Sequence, residues 1–427
     1  MTEQMTTAPS SLVGELSKRY SEPEWLRKGR EQAWTTFEAM PSPKLEKSNL
    51  TKRSWDIGPF VNADDVSSER AAMVLNQLPE QTVLYFHNGR LISGVLSPEL
   101  SNQGIIFTDL HTAAVQHPDL VQKYLGTVVR TDESKWAALN AALWHGGAFL
   151  YVPKNVIVDE VFHVVHEVTE EGQGAAPRLL IVGEEYSRFS YAEVYLRDEV
   201  HHGKVQVDVS EVVAKAGADI TVASVNQYRK GGSNYTTRRA AVANDAHVSW
   251  VFGDLGDGYT VGLLESDLIG NGSRSTIEGI GLGYGKQHMD FTASMLHRGR
   301  YSESDMRLHG VLRGKANSVY RTSTHIFKNA VQAGSEQYDR MLMMESTARA
   351  DAIPMLLIDE NDVQRCGHAA SVGKIDENQI YYLQSRGITK REVVRMIVWG
   401  YLRPTVDAFP SEGLRQYITG LIDRELA

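Results

Sequence analysis

The stretch "AAVANDAHVSWV" (Ala240–Val251) joins a short apolar strand to a second, alternating strand through an Asn-Asp turn and one small residue. Three more stretches can be laid over it: "EVVAKAGADITV" (Glu211–Val222), "DLIGNGSRSTIE" (Asp267–Glu278) and "GVLRGKANSVYR" (Gly310–Arg321). With Ala218, Ala246, Ser273 and Ala316 aligned as the small residue, the intervals are 28, 27 and 43. The first two predict one coil of a solenoid, and the third is long enough to hold an extra half-coil or a whole coil. Period-two alternation sends successive side chains to opposite faces, so each strand offers one row to an interior. With nearly pure strand content a β-helix is the economical architecture, and a sandwich with long hairpins is the competing one.

Outward from these repeats, β-rich runs begin near Phe149 with "AFLYVPKNVIVDEVFHVVHEV" (Ala148–Val168), broken by Gly, Pro and Asn. Upstream the pattern is mostly helical. "PEWLRKGREQAWTTFEAM" (Pro23–Met40), "SERAAMVLNQL" (Ser68–Leu78) and "SKWAALNAALW" (Ser134–Trp144) predict helices, the first opening on a proline suited to a first turn. "TVLYFHNGRLISGVL" (Thr82–Leu96) predicts a hairpin turning at Asn88-Gly89. After Lys374 helices return. "GITKREVVRMIVWGYL" (Gly387–Leu402) starts with a capping box, Thr389 and Glu392, and is expected to stop at Pro404. "SEGLRQYITGLIDREL" (Ser411–Leu426) is a second amphipathic helix. Such helices either cover the end of a solenoid, the commoner role, or offer an apolar stripe to a partner. The expected organisation is a helical region with a small hairpin at 1–145, a β-helix at 146–368 and a helical region at 369–427.

A hydrophobic fraction of 42 % with 23 % charged residues is that of a globular chain. The net charge of −9 gives no basic excess for nucleic acid or an anionic membrane. No run of 18 apolar residues is long enough to span a bilayer, and the start lacks the apolar core of a secretory signal. The single cysteine permits no internal disulfide and fits a reducing compartment, so a cytoplasmic protein is expected.

Signals for chemistry are sparse. "IEGIGLGYGKQHMD" (Ile277–Asp290) looks at first like a phosphate loop, but Lys286 is followed by Gln287 and the glycine spacing is wrong, so a turn-rich β segment is the better reading. No nucleotide site is legible. His163, His166, His201, His202, His288, His297, His309 and His325 show no recognised metal spacing, although stacked coils bring distant residues together. Glu265, Asp267 and Asp290 are candidate groove carboxylates, as in β-helical sugar-cleaving enzymes. In "QRCGHAASVGKID" (Gln364–Asp376), Cys366 and His368 alternate and share one face of a strand. A nucleophile with distant partners and a buried structural cysteine both remain open, the second being the default.

"IPMLLIDENDVQRCGHAASVGKIDENQIYYLQSRGITKREVVRMIVWGYL" (Ile353–Leu402) resembles the C-terminal segment of the SufB/SufD family, scaffold subunits of the Suf iron–sulfur cluster assembly machinery. The matching features are Cys366, His368, Gly373-Lys374-Ile375, Tyr382-Leu383 and Arg386-Gly387-Ile388. "GKQHMDFTASMLHRGRYSESDMRLHGVL" (Gly285–Leu312) and the N-terminal "EWLRKGREQAW" are also similar to the family. The resemblance implies a mainly β fold: a right-handed parallel β-helix flanked by N- and C-terminal helical regions. It implies a non-catalytic scaffold subunit, paired through its β-helix with a SufB-type paralogue. The C-terminal helices would dock the ATPase SufC.

The SufB type carries an essential cysteine where this chain has Thr347, and a Glu-His-Glu-Ala segment where it has Gly367-His368-Ala369-Ala370; both departures favour the SufD type. There the histidine tied to cluster assembly falls on His368. On this reading His368 is an iron ligand that joins the paralogue's cysteine around a transient cluster, Cys366 is auxiliary or structural, and the isolated chain holds no cofactor stably. A homodimer of the isolated chain and a flavin on the complex are left open. A β-helical polysaccharide-active enzyme and a purely structural solenoid are the alternatives.

Overall fold

Each repeat is a corner of a coil in the computed structural model, which describes residues 9–51, 53, 55–57, 72, 75–76, 82–169, 174–196, 205–227 and 231–426. The helix expected over Ser68–Leu78 lies almost wholly outside these residues, as do His201 and His202.

Numbered in chain order, β1 (Val83–His87) and β2 (Arg90–Gly94) form the expected hairpin, and β3 is Ile106–Asp109. The even strands β4 (Ala148–Val152), β6 (Arg178–Gly183), β8 (Val205–Ala214), β10 (Gly232–Val242), β12 (Gly258–Leu268), β14 (His288–His297), β16 (Asn317–Ile326) and β18 (Arg349–Ile358) stack into one parallel sheet. The odd strands β5 (Ile157–Glu167), β7 (Arg188–Leu196), β9 (Asp219–Asn226), β11 (His247–Asp254), β13 (Arg274–Gly283), β15 (Glu303–Leu312), β17 (Gly334–Met343) and β19 (Arg365–Lys374) form the other. The chain alternates between sheets and climbs one rung per pair: a parallel β-solenoid. At its N-terminal end β3 pairs antiparallel with β4, and β1 adds in parallel to β5.

The corners explain the spacing. Tyr186, Gly217, Asp245, Gly272, Tyr301 and Gln332 all have positive φ, between 54° and 68°. Each is followed by a small residue (Ser187, Ala218, Ala246, Ser273, Ser302 or Ala333) with at most 1 % exposure. The left-handed residue turns the chain into the odd sheet, and stacked corners leave no room for a larger side chain behind it. Gly217 is held twice over, because a Cβ there would lie 2.5 Å from the Tyr186 ring. Ala316 does not belong to this row. It precedes β16 at the opposite corner, stacked with Ala348. The long interval therefore contains a whole coil, Ser273 to Ser302, and a half-coil beyond it.

The lumen is filled by inward rows such as Tyr191, Val222, Trp250, Ile277 and Met306. Outside, the even sheet is covered by α1 (Pro9–Arg19), α2 (Glu24–Ala39) and α6 (Lys135–Leu143), whose Leu16, Trp34, Phe37 and Leu139 pack on Val205, Val207 and Tyr235. Between them lie the short helices α3 (Pro98–Asn102), α4 (Leu110–Gln116) and α5 (Pro118–Tyr124). A fully buried ion pair, Arg30–Glu22 at 2.7 Å, fixes this layer, with Arg30 also donating to the Ala142 and Trp144 carbonyls.

At the other terminus α7 (Glu377–Gln384), α8 (Lys390–Asp407) and α9 (Glu412–Leu426) follow the last strand. Helices α8 and α9 do not cap the solenoid end. Val398, Leu402, Val406, Leu414, Ile418 and Ile422 lie along the outer face of the odd sheet, against Val194, Val225, Val251, Ile280 and Val311. Nor does Pro404 end α8, which runs to Asp407. A ring placed in the last turn forfeits one amide bond, and the burial of Thr405 and Val406 on the sheet offsets that loss.

Candidate functional site

His368 and Cys366 stand on β19, the last rung of the odd sheet, which pairs with β17 on one side alone. The register sets Cys366 beside Ser335 and His368 beside Gln337. Ser335, Gln337, Asp339 and Met341 form the inward row of β17, the first three at most 1 % exposed. Cys366 and His368 therefore continue the lumen row at its open end, as their shared strand face requires. His368 is exposed and Cys366 half-buried.

Beneath them runs a polar ladder. Gln337 Nε2 donates to Thr324 Oγ1 at 2.7 Å, and Thr324 bonds Ser335 at 2.8 Å. Ser304 donates to Ser335 at 2.9 Å, and His297 Nε2 lies 2.8 Å from Ser304. Beside this chain Thr322 donates to Asp339 Oδ2 at 2.7 Å. Burial lifts the Asp339 carboxyl to about 6, against the lowering pull of the Thr322 hydroxyl and of His368. Acceptor capacity is left over at this level, for Asp339 Oδ1 and Gln337 Oε1 are buried and bond no described residue.

Cys366 is not an activated nucleophile. Burial, then the Glu336 carboxylate, raise its pKa above the ordinary thiol value, whereas catalytic cysteines are depressed. It packs against Ile326, Ala330 and Ala333. Thr347 lies exposed at the corner before β18, its hydroxyl donating to the Gly314 carbonyl.

The other candidates are structural. His163 Nδ1 donates to the Val161 carbonyl (3.0 Å) and its Nε2 faces Ser411 at 3.4 Å; His309 reaches Thr405 at 3.4 Å. Both tie rungs to the C-terminal helices. His166 stacks between Phe86 and Tyr195, and His325 meets Asp359 at 2.9 Å. Burial, in each case the leading cause, holds His163, His297 and His309 down to about 4 and His166 to about 3. Glu265 pairs with Arg239 and Asp267 with Arg298, both at 2.7 Å, while Asp290 is engaged by Arg321 and Ser48. Among the described residues no group of three or more His, Cys, Asp and Glu side chains is placed to hold a metal ion.

The ladder is not legible in the sequence because its members are 7 to 31 residues apart and sit on different strands. One signal is present: Ser304, Ser335 and Cys366 recur at intervals of 31. On the outer side of α8, Glu392, Arg395, Met396, Trp399 and Arg403, with Asp423 of α9, line an open groove of about 740 Å³. Asp423 accepts from Arg395 Nη2 at 2.6 Å and from Trp399 Nε1 at 2.9 Å.

The family model described as "SUF system FeS cluster assembly, SufBD core domain" matches residues 166–401, and that described as "SufBD protein N-terminal region" matches residues 18–164. The iron–sulfur cluster assembly protein SufD of Bacillus subtilis is 36 % identical over 420 residues, covering 96 % of each chain. Iron–sulfur cluster assembly SufBD family proteins of Staphylococcus haemolyticus and Staphylococcus epidermidis are 28 % and 27 % identical, covering 94 % of this chain and 90 % of theirs. With both halves of the solenoid and its helical flanks accounted for, the chain belongs to the SufB/SufD family of iron–sulfur cluster assembly proteins, and within it resembles SufD.

Proposed function

We propose that the chain is a non-catalytic scaffold subunit in iron–sulfur cluster assembly, completed at its open end by a SufB-type paralogue. The observation that carries this is the last rung: an unpaired strand edge that presents His368 beside Cys366 above a buried polar ladder. An imidazole is a competent iron ligand, but two donors on one strand are too few to hold a cluster. The nascent cluster is cargo, held between His368 and ligands of the paralogue, and Cys366 is auxiliary. The isolated chain retains none of it. Its lone cysteine suits a cytoplasmic setting.

The groove on α8 and α9 is the docking place for a SufC-type ATPase. Because those helices lie on the same odd sheet that ends in β19, hydrolysis in the ATPase shifts the sheet's outer layer and opens the paralogue interface, a two-state gate. The reading as a sugar-cleaving enzyme has little support: its candidate carboxylates are all consumed in ion pairs.

Co-expression with a SufB-type and a SufC-type protein, purification without oxygen, and quantification of iron and acid-labile sulfide test this. His368→Ala is expected to leave the complex intact and remove most of its cluster. Equal iron in both would reduce this subunit to structural support. Truncation before Thr389 is expected to abolish ATPase capture; retained capture would refute the docking assignment.

A further inference from the structure

A second cleft, of about 710 Å³, opens on the even sheet, away from β19 and from the α8 groove. Its walls come from three places: Arg53 of the N-terminal segment, the starts of β12 and β14 at Gly258, Tyr259 and His288, and the turn Tyr284-Gly285-Lys286-Gln287. This is the Gly-Lys turn that looks like a phosphate loop in the sequence and lacks its spacing. The volume lies within the range of small-molecule sites.

The cleft is built rather than incidental. Arg53 is fixed between two buried anchors, Leu50 and Trp55, the latter stacked on Tyr235 at 4.6 Å. Its guanidinium sits 3.7 Å above the Tyr259 ring, which stacks on His288 at 4.4 Å. His288 is held at both nitrogens, by Asn317 Nδ2 at 3.1 Å and Ser48 Oγ at 2.8 Å. Since Ser48 donates its own proton to Asp290, its oxygen accepts from His288 Nε2 and the imidazole is neutral.

The cationic groups of the lining are thus Arg53 and Lys286, against one carboxylate, Asp257. Gln287 is 3 % exposed; its Oε1 accepts from the Tyr284 amide at 3.3 Å, which leaves Nε2 as a buried donor bonded to no described residue. An orphaned donor of this kind is costly to bury unless something accepts from it. Gly285, with φ 60°, has no atom within 4 Å of where a Cβ would stand, so backbone is open to a ligand there.

We infer that this cleft binds a phosphate-bearing small molecule with a planar ring, of the mononucleotide class. Arg53, Lys286 and the open backbone at Gly285 receive the phosphate, and the half-buried Tyr284 supplies an aromatic wall for the ring. Two cations match a dianion. A free phosphate alone would leave most of the volume empty.

Calorimetric titration of the full chain, without any ATPase present, with AMP, UMP, adenosine and inorganic phosphate tests the assignment. A mononucleotide is expected to bind at least tenfold tighter than adenosine, which lacks the phosphate, and than inorganic phosphate, which lacks the ring. Lys286→Ala, at an exposed position, and Arg53→Ala are each expected to weaken it by at least tenfold with unchanged far-ultraviolet circular dichroism. No binding of either nucleotide, phosphate as tight as nucleotide, or binding unchanged in both variants would overturn it.

Discussion

At the N-terminal end the coil stack is closed: β1 and β2 add to β5, β3 adds to β4, and residues such as Phe162, Val164 and Val165 are fully buried. At the C-terminal end β18 and β19 each pair on one side, and neither contains a buried residue. Met355, Leu357, Ile358 and Val372 there are 41–49 % exposed. An open strand edge with apolar side chains is a liability for a lone protein, and natural edges are blunted with charge, bulges or a covering element. Here the available cover, α8 and α9, lies along the flank instead. The difference is that one end is finished within the chain and the other is left open, as the proposed pairing with a second chain requires.

Acidification gives the largest expected effect. His111, His145, His163, His288, His297 and His309 are held down to about 4, and His166 to about 3, with burial the leading cause for each. All sit in covered rungs or the N-terminal layer. The unfolded chain takes up these protons first, so stability is fully present above about pH 6.5 and is lost as pH falls toward 4. Buried Glu193 and Asp254, raised to about 7, and Asp339, raised to about 6, all chiefly by burial, act in the opposite sense, losing stability as pH rises from about 4 to 7. Histidines outnumber them. Each tenfold loss of proton affinity on folding is worth roughly 1.4 kcal/mol, and seven histidines act in the same direction, so stability is expected to fall steeply as pH drops from about 6.5 toward 4. Circular dichroism against pH checks this; a fold stable at pH 4 would mean that these rungs are less sealed than described.

A matched pair of substitutions sharpens the contrast between ends. Val164→Asp places an unpaired carboxylate in the closed lumen and is expected to cost on the order of 4 kcal/mol or more. Val372→Asp on the open rung is expected to change the isolated chain by no more than about 0.5 kcal/mol, yet to weaken association with the paralogue. Urea denaturation of both, with a pull-down of the second, decides; similar costs would erase the distinction. The smallest effect belongs to the flank. Thr389→Ala removes the capping box of α8, in which Thr389 accepts from the Glu392 amide at 3.3 Å, and is expected to cost about 1 kcal/mol. Thermal melting measures it, and no change in melting temperature would mean that packing on the odd sheet alone holds the helix.

Much of this architecture is legible in the sequence. The Ala218, Ala246 and Ser273 corners are visible because a left-handed residue and a small one recur at a fixed spacing, and Asn88-Gly89 announces its hairpin by requiring two positive φ values, 48° and 79°. Ala316 falls at the other corner, and the sequence alone does not separate the two because both kinds of corner set a left-handed residue one or two places before a small one. The earliest rungs do not read as repeats, since Asn155 and Tyr186 turn them in place of glycine. The amphipathic stripe of α8 declares that the helix packs, not on what. For the site, His368 and Cys366 are readable as sharing a strand face. The Asp339, Gln337 and Thr324 ladder below them is not, because it arises between rungs.

Amide hydrogen exchange, measured on the isolated chain and on its complex with a SufB-type paralogue, tests the central claim most directly. The account predicts rapid exchange across β18 and β19 in the isolated chain, slowed at least tenfold in the complex, with β4 to β7 slow in both. Equal exchange of β18 and β19 with and without the paralogue would contradict it.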